Sequence, residues 1–228
     1  MRRRLRLPLE QLAPYLLTVD RPVQTNGSRD TLDNRTFAPL VWREVFGNDR
    51  PVELEVGFGK GLFLLTAAQA HPEINFVGVE IVRKYQLFAG TRLAKRGLSN
   101  VRVACADVRL FLPRFVAAES LQAVHVYFPD PWWKKRHHKR RVFTAEFVAE
   151  CLRVLRRGGR LHAVTDVEEY AAVMSALLAD QPALRPLPPP SEKEPLHDLD
   201  YLTNFERKFR KQGKKIYRMS YQRTEVVS

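Results

Sequence analysis

Five short apolar runs recur along the chain: VELEVG (52–57), NFVGVE (75–80), VRVAC (101–105), AVHVYF (123–128) and RLHAVT (160–165). Each is rich in valine, apolar at most positions and followed by turn-like or helix-like residues, as expected of strands buried on both faces. Strand then helix, repeated, predicts an α/β domain built on a mostly parallel sheet with helices on both sides. The intervening patterns support helices. Residues 62–70 follow a glycine loop. Phe147, Val148, Cys151, Leu152 and Leu155 form a stripe closed by Arg156, Arg157, Gly158 and Gly159, the signature of a helix C-terminus. Tyr170, Val173, Met174, Leu177 and Leu178 form another, opened by Thr165 with Glu168 three residues on, a capping-box spacing. The run PALRPLPPPSEKEP (182–195) is too rich in proline for a helix or a central strand and reads as a surface loop.

Before residue 51 the pattern differs. Residues 1–50 mix arginines, prolines and the polar stretch QTNGSRDTLDNR, and read as a basic N-terminal extension preceding a catalytic-sized domain over 51–228. MRRRLRLPL has no long apolar run, so neither a signal peptide nor a membrane span is expected, and the chain reads as cytoplasmic. Cys105 and Cys151 lie in apolar contexts without CxxC or Cys/His spacing, which argues against a disulfide framework or a metal site. Lys and Arg outnumber Asp and Glu by 38 to 25, a formal charge of +13, which points to a polyanionic partner, nucleic acid first. Nothing in the pattern chooses between monomer and homodimer.

The chemistry gathers at strand ends. ELEVGFGKG places Glu55, Gly57, Gly59 and Gly61 where strand becomes helix, a place where glycines let a ligand approach the backbone. The dinucleotide pattern GxGxxG, counted from Gly57, needs glycine at Leu62, so a nicotinamide or flavin fingerprint fails. An acid before the glycines repels a pyrophosphate and suits a cation. Glu80 closes the second run, 19 residues after Gly61, where a carboxylate can accept from both ribose hydroxyls, and Asp107 follows the third. A ligand with a nucleobase, a ribose and a cationic arm fits these acids: S-adenosylmethionine.

The fourth run ends in FPDPWWKKRHHKRR (128–141), which sets Asp130 between two prolines at the same crevice and follows it with tryptophans and cations. The cations suit a phosphate backbone, and Trp132 and Trp133 suit stacking or anchoring. With ELEVGFGKG, GVE, TDVEEY and TNFE, in this order over residues 53–206, the segment resembles the bacterial tRNA (guanine-N7-)methyltransferase family. The resemblance implies a Rossmann-like class I methyltransferase of seven strands, S-adenosylmethionine as donor and N7 of a guanine in the tRNA variable loop as acceptor. By it, Glu55, Gly57, Gly59, Gly61, Glu80, Asp107 and Asp130 match cofactor-binding positions, and Asp130 also matches the catalytic acid. Lys134, Asp166, Thr203, Asn204, Phe205 and Glu206 match substrate-binding positions. Arg207, Lys208 and Phe209 depart from the family's usual continuation after TxFE, which ends in Arg and Gly.

Two other readings stay open on the residues alone. An enzyme acting on an exocyclic amine also carries an acid beside prolines, but as DPPY or NPPY, whereas Trp132 follows Asp130 and Pro131 here. A non-catalytic RNA-binding module on the same fold would not need Glu55, the three glycines and Glu80 intact.

Overall fold

The computed structural model describes residues 7–19, 38–132, 136, 140–188 and 202–225. The strands are β1 Leu16–Leu17, β2 Val52–Val56, β3 Asn75–Glu80, β4 Val101–Cys105, β5 Leu121–Tyr127, β6 Leu155–Thr165, β7 Leu184–Leu187 and β8 Tyr217–Arg223. They form one sheet in the order β1-β4-β3-β2-β5-β6-β8-β7. Pairing is parallel from β1 to β6, and β8 runs antiparallel to both β6 and β7. The eight helices are α1 Leu9–Leu12, α2 Trp42–Phe46, α3 Leu62–Ala70, α4 Arg83–Ala94, α5 Val108–Phe115, α6 Ala145–Val154, α7 Glu168–Ala179 and α8 Asn204–Lys211, counted among the described residues.

Alternation along β2 explains the two cores. Val52, Leu54 and Val56 pack with Phe111, Val124, Phe147 and Met174 on the face covered by α5, α6 and α7. On the opposite face Phe63 and Leu64 of α3 and Ala89 and Leu93 of α4 pack with Phe76 and Val103. Every residue of β3 is buried, which is why that run shows no polar alternation. Each fully buried Leu or Phe contributes about 1.5–3 kcal/mol over leaving it exposed.

Several expectations change in detail. The sheet has eight strands, one beyond the expected seven, because Leu16 and Leu17 pair with Val103 and Ala104 at the β4 edge and Leu12 is buried beside them. The α6 stripe ends at Val154, so Leu155 opens β6 instead of closing the helix; Leu155 pairs with Leu121, then the register shifts before Arg160 meets Ala123. Gly158, at φ 74°, serves that bulge. The capping box at α7 is absent: Thr165 Oγ1 accepts from Val167 N at 3.2 Å, and the helix has no side-chain cap of its own. Part of the proline-rich run is a strand after all. Leu184–Leu187 pairs with β8 at the sheet edge, where Pro186 needs no ladder donor on its open side.

Candidate functional site

The strand order reverses at β2. From there the chain proceeds to β3 and β4 on one side and returns to β5 and β6 on the other, leaving a crevice beyond the carboxyl ends of the strands. A cavity of about 990 Å³ fills it, lined from β2, β3 and β5, the turn after β4, and α8. Glu55, Gly57, Gly59, Glu80, Asp107 and Asp130 all line it, and Gly61 caps α3 at its edge.

The loop after β2 is organised around Glu80. Glu80 Oε2 accepts from Gly59 N at 3.1 Å and Oε1 from Val82 N at 3.0 Å, so one carboxylate holds the starts of two loops. Gly59 has φ 51° and open space where a Cβ would stand, leaving the loop backbone bare toward the cavity. At Gly61 the reason is packing, since a Cβ would lie 2.9 Å from Ala89 Cβ and force α3 away from α4.

Glu55 is 2% exposed and its Oε2 has no hydrogen-bond partner among the described residues. Burial, and next the Glu80 charge, push its carboxyl well above the usual range. An orphaned buried carboxyl oxygen in a cavity wall, beside a second acid, fits a cationic hydrogen-bond donor, and the bare glycine backbone fits a ligand lying over it. These residues therefore fit S-adenosylmethionine. Asp107 is placed differently. It caps α5 by accepting from Arg109 N at 3.0 Å and grips the same guanidinium through Nε at 3.0 Å and Nη2 at 2.5 Å. Burial works against its charge, yet the Arg109 contacts prevail and hold it below the ordinary carboxylate range.

Asp130 stands exposed at the mouth, on a loop under backbone strain: Phe128 at φ 51° and Trp132 at φ 44° flank it, both left-handed without being glycine. Three contacts hold that conformation. Phe128 N donates to Val164 O at 2.7 Å, Arg141 Nε donates to Pro131 O at 2.7 Å, and the Arg140 guanidinium lies 5.0 Å from the centre of the Trp132 ring. Arg141 also covers the Tyr170 ring at 4.9 Å. Two cations of the basic run are thus engaged by the loop itself, a role that charge alone does not reveal. Lys134 lies outside the described residues.

The TNFE segment divides by side. Thr203 Oγ1 accepts from Glu206 N at 3.0 Å and caps α8. Thr203, Asn204 and Phe205 line the cavity, with Phe205 half exposed. Glu206 turns inward, accepting from Leu202 N at 2.6 Å and from Arg218 Nη2 at 2.5 Å. Asp166 takes Lys214 Nζ at 2.7 Å, and neither Asp166 nor Glu206 is among the described residues lining the cavity. Where a glycine would end the motif, Phe209 continues the helix and packs 5.5 Å from Phe128, so α8 and the Asp130 loop share an aromatic contact. Arg207 and Lys208 line the same opening. Tyr127 also lines the cavity and was not singled out from sequence, although strand alternation puts it on the face of Glu53 and Glu55.

Known proteins are similar to this chain in sequence and in fold. A family described as "Putative methyltransferase" matches residues 49–219. A tRNA (guanine-N(7)-)-methyltransferase of Rhodopirellula baltica is 46% identical over 195 residues, covering 82% of this chain and 71% of that protein. One from Vibrio cholerae serotype O1 is 38% identical over 189 residues, covering 81% of this chain and 78% of that protein. The solved aminoglycoside resistance methyltransferase NpmB1 superposes with a TM-score of 0.56 at 18% identity, over 80% of this chain and 92% of that one. The 16S rRNA methyltransferase KamB gives 0.56 at 16% identity, over 84% and 96%. At such identities these two structures speak for the fold alone.

Proposed function

This chain belongs to the tRNA (guanine-N(7)-)-methyltransferase family, and from that premise we propose that it transfers a methyl group from S-adenosylmethionine to N7 of a guanine in the variable loop of tRNA. The observation that carries the reading is the juxtaposition, around one cavity, of the partnerless Glu55 Oε2, the Glu80-held glycine loop and the strained Asp130 loop, with Phe205 and Lys208 also in its lining.

Glu55, Glu80 and the backbone of Gly57 and Gly59 would hold the cofactor, which supplies when bound an electrophilic methyl on a cationic sulfur. Guanine N7 carries an in-plane lone pair and no proton, so no base is required to activate it. Methylation leaves the purine positively charged. The Asp130 carboxylate at the mouth favours that developing charge and holds the guanine edge. The contacts that hold the strained backbone at Phe128 and Trp132 set where Asp130 stands, and alignment of this kind can lower a barrier by roughly 7–11 kcal/mol in favourable cases. Phe205, exposed on α8, offers a stacking face, while Lys208 and the cations after it meet phosphate.

The test is transfer of labelled methyl from S-adenosylmethionine to unmodified tRNA transcripts, followed by chemical strand scission at N7-methylguanine. Scission at a variable-loop guanine is the expected result. Binding of both ligands without transfer would overturn the reading in favour of a non-catalytic RNA-binding module, and label on an exocyclic amine would favour a different methyltransferase.

A further inference from the structure

Beneath the cavity floor, on the face covered by α3, one lateral row of polar residues crosses four strands. Glu55 of β2 lies opposite His125 of β5, His125 opposite His162 of β6, and His162 opposite Ser220 of β8. His125 is buried and saturated: its Nε2 meets Glu53 Oε2 at 2.8 Å and its Nδ1 meets the Tyr127 hydroxyl at 2.8 Å. Gln122 Nε2 donates to the other Glu53 oxygen at 3.0 Å. The Phe63 ring packs 4.6 Å from His125 and 5.0 Å from Tyr127, and both Phe63 and Tyr127 line the cavity. His162 stacks on His125 at 5.1 Å with its own Nδ1 on Ser220 Oγ at 3.0 Å.

The chain of contacts has a direction. Burial opposes the Glu53 charge, but its bonds to His125 and Gln122 win, so its pKa is lowered and it accepts from both. In the neutral ring of His125 the proton facing Glu53 sits on Nε2, which leaves Nδ1 as the acceptor for the Tyr127 O–H. A tyrosine that gives its proton backwards keeps only lone pairs to offer. Tyr127 lines the cavity with Glu55, and after burial the Glu55 carboxyl is the group that most disfavours its ionisation. Two acceptor-bearing residues thus line one cavity.

We propose that Tyr127 is a further binding residue of the cavity, its hydroxyl kept as an acceptor for the ammonium of the cofactor's amino-acid end by the positioning pair Glu53 and His125. The assignment rests on the S-adenosylmethionine reading above. It predicts recognition confined to one end of the ligand.

Titration calorimetry on the full chain compares S-adenosylhomocysteine with methylthioadenosine, which shares the adenosine and thioether but lacks the amino-acid end. Tyr127→Phe should weaken the first about tenfold and leave the second within about twofold, the size of one hydrogen bond to a charged group. Nitrogen-15 spectra should show His125 protonated at Nε2. Glu53→Gln, which reads the relay without touching the tyrosine, should mix the two ring tautomers and reproduce part of the loss for S-adenosylhomocysteine. Equal weakening of both ligands by Tyr127→Phe would make the tyrosine a mere wall, and no weakening would leave its hydroxyl to the interior. An unmoved tautomer and affinity in Glu53→Gln would remove the positioning pair. If the unaltered protein bound neither ligand, the cofactor reading itself would fall and this assignment with it.

Discussion

Gly59 donates its backbone N–H to Glu80 Oε2 at 3.1 Å, across 21 residues of chain, so the loop after β2 and the acid ending β3 are one structural unit. Glu80→Ala removes the acceptor for both Gly59 and Val82. A charge-assisted bond of this kind contributes about 1.5–3 kcal/mol. S-adenosylhomocysteine affinity should fall at least about tenfold, measured by calorimetry, while the thermal midpoint without ligand falls by only a few degrees.

Glu55 predicts a proton release. Burial first and Glu80 second raise its pKa in the folded protein, so it favours folding at low pH, and that contribution is lost as pH rises from the ordinary value of 4.5 through the raised one. A cation placed beside it reverses the preference. Binding of S-adenosylhomocysteine should therefore expel a proton from Glu55. Calorimetry at one pH, in two buffers of different ionisation enthalpy, reads this directly; the buffer dependence should vanish in Glu55→Gln.

Asp130→Ala should lower single-turnover methyl transfer by at least about 100-fold, the usual effect of removing one preorganised electrostatic group. Affinities for tRNA and S-adenosylhomocysteine should stay nearly unchanged. A rate close to that of the unaltered protein would take the carboxylate out of the mechanism.

The cations near the mouth should separate by experiment. Arg141→Ala frees Pro131 O and uncovers Tyr170, so the transfer rate should drop while the salt dependence of tRNA binding holds. Lys208→Ala should instead weaken tRNA binding and reduce the slope of log K against log salt by about 0.7–0.9, the share of one phosphate contact. Filter binding over a salt series distinguishes them.

His162 should make the protein acid-labile. Burial first, then His125, lower its pKa to about 3 from 6.5, so the unfolded chain binds the proton more readily throughout that window and stability falls as pH drops through it. Glu53, also lowered, loses its contribution as pH falls through its own folded value. Urea midpoints between pH 7 and 4 should fall less steeply in His162→Asn.

The parallel strands were legible because burial on both faces removes polar alternation, and Glu55, Glu80 and Asp130 were legible because open α/β sheets bind ligands where strands end. What escaped depended on partners distant in sequence. Nothing local tells Arg141 from the cations before it, since its role comes from Pro131 and Tyr170. Glu206 lies next to Phe205, yet helix geometry sends the one to Arg218 and the other to the cavity. Thr165 matched a capping spacing, but strand β6 runs through it, and its hydroxyl caps a turn instead. The edge strand at Leu184–Leu187 was masked by Pro186, which only an edge tolerates.

The place of β8 governs the order of assembly during synthesis. It lies between β6 and β7, so β7 leaves the ribosome before the strand that joins it to the sheet exists. Until residues 217–223 emerge, the exposed flank of β6 and the unpaired β7 are open to association with other chains. A ribosome stalled before Tyr217 would hold a nascent chain whose crevice strands are already made but whose sheet is unsealed. Truncation there should yield aggregation during expression, even though none of the described residues in the lost segment lines the cavity.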